Sequence, residues 1–224
     1  MTPRRFRLLG LLGLASALAR CASAPPARSF APATPDDARR GLAAWTSAVE
    51  RASSLPASRL LYDAKMGSGS APALPGTLAV TYDGRSVVTA SLTGPFGSHV
   101  AEYHDGTVTG QDRKAFIVDP DALRAVLAGV WSEGAPSVKG FDAGDCLLEF
   151  ASGDADVRAV LDVAGERVRS MDLRGREGRL IVDYSGAADP WPARLTVRDD
   201  ASKKSLALKL VTIERAGGAG TARP

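Results

Sequence analysis

From Arg59 to Glu214 the chain repeats one pattern: a short run of alternating apolar and polar residues, closed by Gly, Asp or Pro, at roughly ten-residue spacing. The pattern predicts strands near 58–66, 76–82, 85–92, 98–104, 107–110, 113–118, 145–151, 156–163, 166–174, 178–185, 193–199 and 204–214. A period of two sends successive side chains to opposite faces of a sheet. Leu206, Leu208 and Leu210 therefore share one face while Ala207 and Lys209 take the other, and Leu180, Val182 and Tyr184 alternate with Ile181 and Asp183. Val168 and Met171 sit among arginines. One face is apolar, and the connections are too short for crossover helices, so neighbours run antiparallel. Asp83-Gly84 and Asp105-Gly106 have the chemistry of hairpin turns, and 164–166 and 174–178 are further reversals. A meander this long with a single apolar face must curl to bury it.

Two segments break the period. Thr34 reads as an N-cap, with Pro35 at the first helical position and Asp36 and Asp37 in the first turn. Ala38, Leu42, Trp45, Val49 and Ala52 then recur at three- and four-residue steps, which predicts a helix over 36–54 with one apolar stripe. Asp119-Pro120-Asp121 starts a second helix, 120–130, with its own stripe of Leu123, Val126, Leu127 and Val130; Trp131 to Pro136 reads as a loop. The expected fold is mainly β (α+β): an antiparallel half-barrel of about eleven strands, with the N-terminal helix and a helical lid over its concave face.

The N-terminus places this domain outside the cytoplasm. Arg4, Arg5 and Arg7 precede an apolar run from Leu8 to Ala19, which is the form of an export signal. A run of about twelve apolar residues is too short to span a ~30 Å hydrocarbon core. Leu18-Ala19-Arg20-Cys21 has the form of a bacterial lipobox, in which Cys21 is lipidated, although Arg20 stands where a small residue is usual. Ala17-Leu18-Ala19 also satisfies the small-x-small rule of ordinary signal peptidase, which would cut before Arg20. The Pro/Ala/Ser-rich stretch 22–34 cannot build a core and reads as a tether. The chain divides into signal 1–20, tether 21–34, half-barrel domain 35–215 and tail 216–224.

Composition narrows the function. The formal net charge is +3, with acidic and basic residues mixed along the body, so no polybasic block points to nucleic acid. Of two cysteines, Cys21 is the lipidation candidate and Cys146, in a strand-like run, is a buried structural thiol. His99 and His104 are five apart on a strand and turn, a poor metal pair, and no His-Glu-x-x-His or Cys cluster exists. Gly67-Ser68-Gly69-Ser70 is a flexible turn, not a nucleophile elbow, and the carboxylates at 154, 156, 199 and 200 sit in turns. No catalytic residue, metal or cofactor is assigned. Trp45, Trp131 and Trp191 can line a cavity, the first two being favoured because they lie on or beside the helices.

Ser91-Leu92-Thr93-Gly94-Pro95-Phe96-Gly97-Ser98, between two strands, resembles the loop of the outer-membrane lipoprotein receptor (LolB) family, which has a Leu-Thr-x-Pro-Leu-Gly-Ser type sequence there. Leu123-Arg124-Ala125-Val126-Leu127-Ala128-Gly129 is similar to that family's lid helix. With the export signal, N-terminal helix and late meander, the resemblance spans most of the mature chain and extends to the soluble LolA-like carriers. It implies an open half-barrel whose apolar cavity accepts the acyl chains of lipoproteins. It also implies a membrane-inserting loop, here Pro95, Phe96 and Gly97, with Phe96 at the tip. The acyl cavity and lid then fall to Leu42, Trp45, Val49, Leu123, Val126, Leu127 and Trp131.

The expected function is non-catalytic acyl-chain binding in lipoprotein transport, by a monomer held at the periplasmic face of the outer membrane through lipidated Cys21. Its partners are lipoprotein acyl chains or lipid and a periplasmic LolA-like carrier. A soluble periplasmic protein is the alternative location, and a scaffold lipoprotein that binds a protein partner is the alternative function.

Overall fold

A computed structural model of the chain describes residues 28–112, 118, 120–131, 134–152, 155–175, 178–188, 190–215 and 221–222. The export signal and Cys21 lie outside these residues, as does all of the strand expected at 113–118 but its last residue. Among the described residues the elements are β1 (Ala31–Pro32), α1 (Pro35–Ser53), β2 (Ser58–Ser68), β3 (Leu74–Tyr82), β4 (Val87–Thr93), β5 (His99–His104), β6 (Thr107–Gly110) and α2 (Pro120–Ala128). There follow β7 (Pro136–Asp142), β8 (Asp145–Ser152), β9 (Ala155–Asp162), β10 (Arg167–Gly175), β11 (Gly178–Ala188), β12 (Trp191–Asp199), β13 (Lys204–Arg215) and β14 (Thr221–Ala222).

The strands form one open antiparallel sheet in the order β1-β7-β8-β9-β10-β11-β12-β13-β2-β3-β4-β5-β6, with β14 paired to β13. The alternation behaves as the sequence requires: Leu60, Tyr62 and Ala64 are buried on β2 while Arg59, Asp63 and Lys65 are exposed. Bulges bend the sheet. One lies between Val168 and Ser170, and it explains how Val168 and Met171, an odd distance apart, both face inward. Another, between Leu210 and Thr212, does the same for Leu210 and Ile213. The curl is deep enough that α2 packs against both β12 and β4, strands separated by three others in the sheet order. Both helices lie on the concave side, over one continuous apolar core.

Local chemistry fixes the helix ends. The Asp37 amide donates to Thr34 Oγ1 (3.2 Å) and the Thr34 amide to Asp37 Oδ2 (3.1 Å), a reciprocal cap. α2 stops two residues earlier than the expected 130, because Gly129 takes a left-handed φ of 69° and the Val130 amide turns back to the Ala125 carbonyl (3.1 Å).

Three features differ from the sequence expectation. The loop expected from Trp131 to Pro136 gives way to a strand at its last residue, and β7 is a strand the pattern did not predict. Its bulge between Val138 and Gly140 breaks the period that would have marked it. The segments expected as tether and tail each add two residues to the sheet: Ala31 pairs with Phe141 and Pro32 with Gly140, while Thr221 and Ala222 pair with Glu214 and Ile213. Finally, the face that α1 buries is Gly41, Ala44, Trp45, Ala48 and Ala52, and Leu42 is 40% exposed. A Cβ on Gly41 would stand 2.6 Å from Cys146 Sγ, so small residues face the sheet and the helix turns Leu42 outward to approach it.

Candidate functional site

The register gives the sheet two distinct ends. At one end lie the β9–β10 and β11–β12 turns, the start of β2 and the C-terminus of α1; at the other lie the β2–β3, β4–β5, β10–β11 and β12–β13 turns. The first end holds a cleft of about 480 Å³. Four separate segments wall it: Ala48, Arg51, Ala52 and Leu55 from the end of α1; Ala128, Gly129 and Val130 from the end of α2; Asp162 and residues 166–169 from the β9–β10 turn; and Tyr184, Ser185, Gly186, Pro190, Trp191 and Pro192 from the β11–β12 turn. Its inner wall is apolar and its rim is charged.

Ion pairs hold the rim. Arg51 Nη2 meets Glu166 Oε2 at 2.6 Å while its Nη1 donates to the Glu166 carbonyl at 2.9 Å, so α1 is tied to the β9–β10 turn. Arg169 bridges Asp162 (3.0 Å) and Asp145 (2.8 Å), and Arg28 also pairs with Asp145. The part-exposed Arg51–Glu166 pair contributes about 0–1 kcal/mol and sets geometry more than stability, whereas Asp145 is buried between its two arginines. On the inner side, Tyr184 Oη donates to the Val126 carbonyl at 2.7 Å and fixes α2 to β11.

The seven side chains expected to wall an acyl cavity do something else. Trp45, Leu123, Val126 and Leu127 are buried, Val49 and Trp131 are half-buried against the same core, and none of the seven is among the residues lining the cleft. The concave face is filled rather than hollow: Trp45 packs on Phe150 at 4.9 Å, and Leu60, Tyr62, Leu78, Leu92, Leu148, Leu161 and Val182 are fully buried beneath the helices. The reason is the close approach of α1 over its small residues, which leaves no layer between helix and sheet. The cleft survives only where the helices end. Trp191, ranked below Trp45 and Trp131 on sequence grounds, is the tryptophan that lines it. Its setting, Pro190-Trp191-Pro192, was the available signal: a large ring held between two stiff residues at a turn.

At the opposite end the β4–β5 connection is a single 3₁₀ turn of Pro95–Gly97. Phe96 is 108% exposed and sits at φ 59°, ψ 23°, in the left-handed region that bulky L-residues avoid. The Gly94 amide donates to the Ser98 carbonyl (2.7 Å) and the Ser98 amide to the Pro95 carbonyl (3.2 Å), closing the turn beneath the ring. The three residues expected to form an inserting loop are thus together at one exposed tip.

Cys146 is fully buried and free, and burial, followed by the charge of Asp37, pushes its thiol up to about 11. Burial likewise raises the phenols of Tyr62 and Tyr184 above their ordinary range, with Asp183 and Tyr62 adding to the effect on Tyr184. His99 and His104 are both exposed. No helix of the described residues is long and apolar enough to cross a membrane.

No protein-family model and no curated protein matches the sequence. Solved structures do. A LolA superfamily protein from Nitrosomonas europaea superposes with a TM-score of 0.52 at 9% identity, over 77% of this chain and 94% of that one. The fold is LolA-like. A putative outer membrane lipoprotein-sorting protein domain from Vibrio parahaemolyticus matches equally, with a TM-score of 0.52 at 13% identity over 81% and 94% of the two chains. The LolA-like sheet here is open, helix-covered on its concave side, and cleft at one end.

Proposed function

We propose that the protein is a non-catalytic binder of lipid acyl chains in the bacterial envelope, a LolB-like outer-membrane lipoprotein receptor or a related lipoprotein-localisation factor. The observation that carries this reading is the cleft of about 480 Å³ walled by both helix ends and two hairpin turns. Its volume falls in the roughly 300–1,000 Å³ range of small-molecule sites. Burial of an acyl chain contributes about 0.8 kcal/mol per CH₂, so eight methylenes gain about 6 kcal/mol before ordering costs, enough for capture without chemistry. That one solved structure of this fold is named for outer membrane lipoprotein sorting supports the same class of cargo. In this reading lipidated Cys21 anchors the protein to the outer membrane facing the periplasm, a LolA-like carrier delivers the cargo, and the Pro95-Phe96-Gly97 tip inserts into the bilayer.

The packed concave face favours a second reading, a scaffold lipoprotein with a solid core that binds a protein partner. Native mass spectrometry of the chain from Ala22, which lacks the lipidation site, purified from a periplasm and then mixed with an acylated peptide, separates the two. Co-purifying acyl species or peptide uptake is the expected result. A clean apo mass with no uptake overturns acyl binding and leaves the scaffold.

A further inference from the structure

The walls of the cleft fix how much it can hold. A methylene fills about the share of liquid volume that a water does, ~30 Å³, so the 480 Å³ of the cleft takes about 16 of them, which is one long acyl chain. Growth inward is blocked, because Val168 and Trp191 in its wall belong to the continuous buried core. Growth sideways is blocked as well. Arg51 Nη1 on the Glu166 carbonyl (2.9 Å) ties α1 to the β9–β10 turn, and Tyr184 Oη on the Val126 carbonyl (2.7 Å) ties α2 to β11. A second chain would have to break one of these ties or stay in water.

The mouth carries both signs of charge. Arg51 with Glu166 (2.6 Å) and Arg169 with Asp162 (3.0 Å) all line the cleft, and the four side chains are between 29% and 51% exposed. Pairs this wet are weak, so a guest can exchange with one at little cost. A head with both charges replaces such a pair in kind: its phosphate takes an arginine, its ammonium takes the carboxylate, and no charge is left alone. Arg51 Nη1 can stay on the Glu166 carbonyl throughout, so the wall holds while Nη2 changes partner. A fatty-acid head offers nothing to Glu166 or Asp162 and sets a like charge beside them. We propose that the cleft holds one acyl chain with a zwitterionic head at its mouth, the chemistry of a monoacyl phospholipid. This rests on the acyl-binding reading above and names the class of its guest.

The test is native mass spectrometry of the chain from Ala22 with an equimolar mixture of monoacyl phosphatidylethanolamines whose chains run from 10 to 20 carbons, all below their micelle concentrations. The bound masses read number and preference together. One guest per protein is expected, with affinity rising about fourfold per methylene and levelling off near 16 carbons. In a second mixture, of guests with one 14-carbon chain, the phosphatidylethanolamine should outcompete myristate and monomyristoylglycerol by about tenfold. Ser185→Trp, a change at an exposed residue of the cleft wall, should weaken every guest at least tenfold. Two or more guests bound at once, or affinity still rising at 20 carbons, overturns the single-chain capacity and leaves acyl binding standing. Myristate or the glyceride binding as well as the zwitterion overturns recognition of the head, and full binding by Ser185→Trp overturns the cleft as the site. Capture of none of these guests overturns the acyl-binding reading, and this inference with it.

Discussion

Pro190-Trp191-Pro192 and Pro95-Phe96-Gly97 are close in local chemistry and opposite in fate. Each is an aromatic ring flanked by turn-forming residues at an end of the same sheet, yet Trp191 is 2% exposed and Phe96 is 108% exposed. The difference is made by what covers each end. The ends of α1 and α2 close over the β11–β12 turn and give Trp191 walls to pack against, with Tyr82 edge-on to its ring. The β4–β5 turn lies at the end away from the cleft, and a tight hydrogen-bonded turn with left-handed Phe96 and Gly97 directs the ring outward. An aromatic between turn residues is therefore ambiguous in sequence, and the reach of the helices decides between a wall and a tip.

The largest expected effect strikes the covered end. Trp191→Ala should cost about 3–5 kcal/mol, the usual range for emptying a fully buried aromatic site, and it should widen the cleft. Chemical denaturation checks it. A loss below about 1 kcal/mol would show that the β11–β12 turn is only lightly held and that the contrast between the two ends is weaker than the exposures imply.

A smaller effect comes from titration. Cys146, near the start of β8, Tyr184, toward the end of β11, and Tyr62, on the first half of β2, all lie in the half of the sheet that ends at the cleft. Their folded-state pKa values are raised, so the native state holds protons that the unfolded chain has already released. The stability they contribute is whole below about pH 9, the ordinary value for the thiol, and is lost as pH rises through about 11 for Cys146 and higher for the phenols. The denaturation midpoint should stay level to pH 9 and then fall, with Cys146→Ala removing the first part of the fall. A profile flat to pH 11 would mean that this half opens enough to hydrate its core.

The contrast also shows what the residues disclosed before the fold was known. Period-two runs such as Leu206, Leu208 and Leu210, the Thr34 cap and the Asp-Gly turns are local signals, and local rules decide them. β7 was hidden because a bulge splits its few apolar residues, Val138 and Phe141, and because part of its pairing comes from β1, more than a hundred residues earlier in the chain. The buried face of α1 keeps Trp45 and Ala52 of the expected stripe but not Leu42, because apolar periodicity favours Leu42 over Gly41, whereas close approach to Cys146 favours the glycine. The cleft could not be read at all, since its walls come from four segments that meet only after the sheet curls. The Phe96 tip was legible because three adjacent residues build it.

The smallest effect on stability, and the sharpest on function, belongs to that tip. Phe96 makes no buried contact to lose, so Phe96→Glu should change stability by no more than about 0.5 kcal/mol. Its left-handed backbone, by contrast, costs a bulky residue about 1–2 kcal/mol, which glycine would not incur. A ring kept in full solvent at a strained position gains nothing for the fold, and insertion into a bilayer is the environment in which it would gain apolar burial. Leu74, 56% exposed, stands at the same end of the sheet and would enter with it. Loaded with an acylated peptide and mixed with phospholipid vesicles, Phe96→Glu should take up peptide as the parent protein does but hand it to vesicles at least tenfold more slowly, because a charge replaces the wedge at the bilayer surface. Equal rates of transfer would overturn the membrane role of the tip and leave its strain without a functional reason. Slower uptake as well as slower transfer would overturn the separation of the two ends, since a change at one would then be felt at the other.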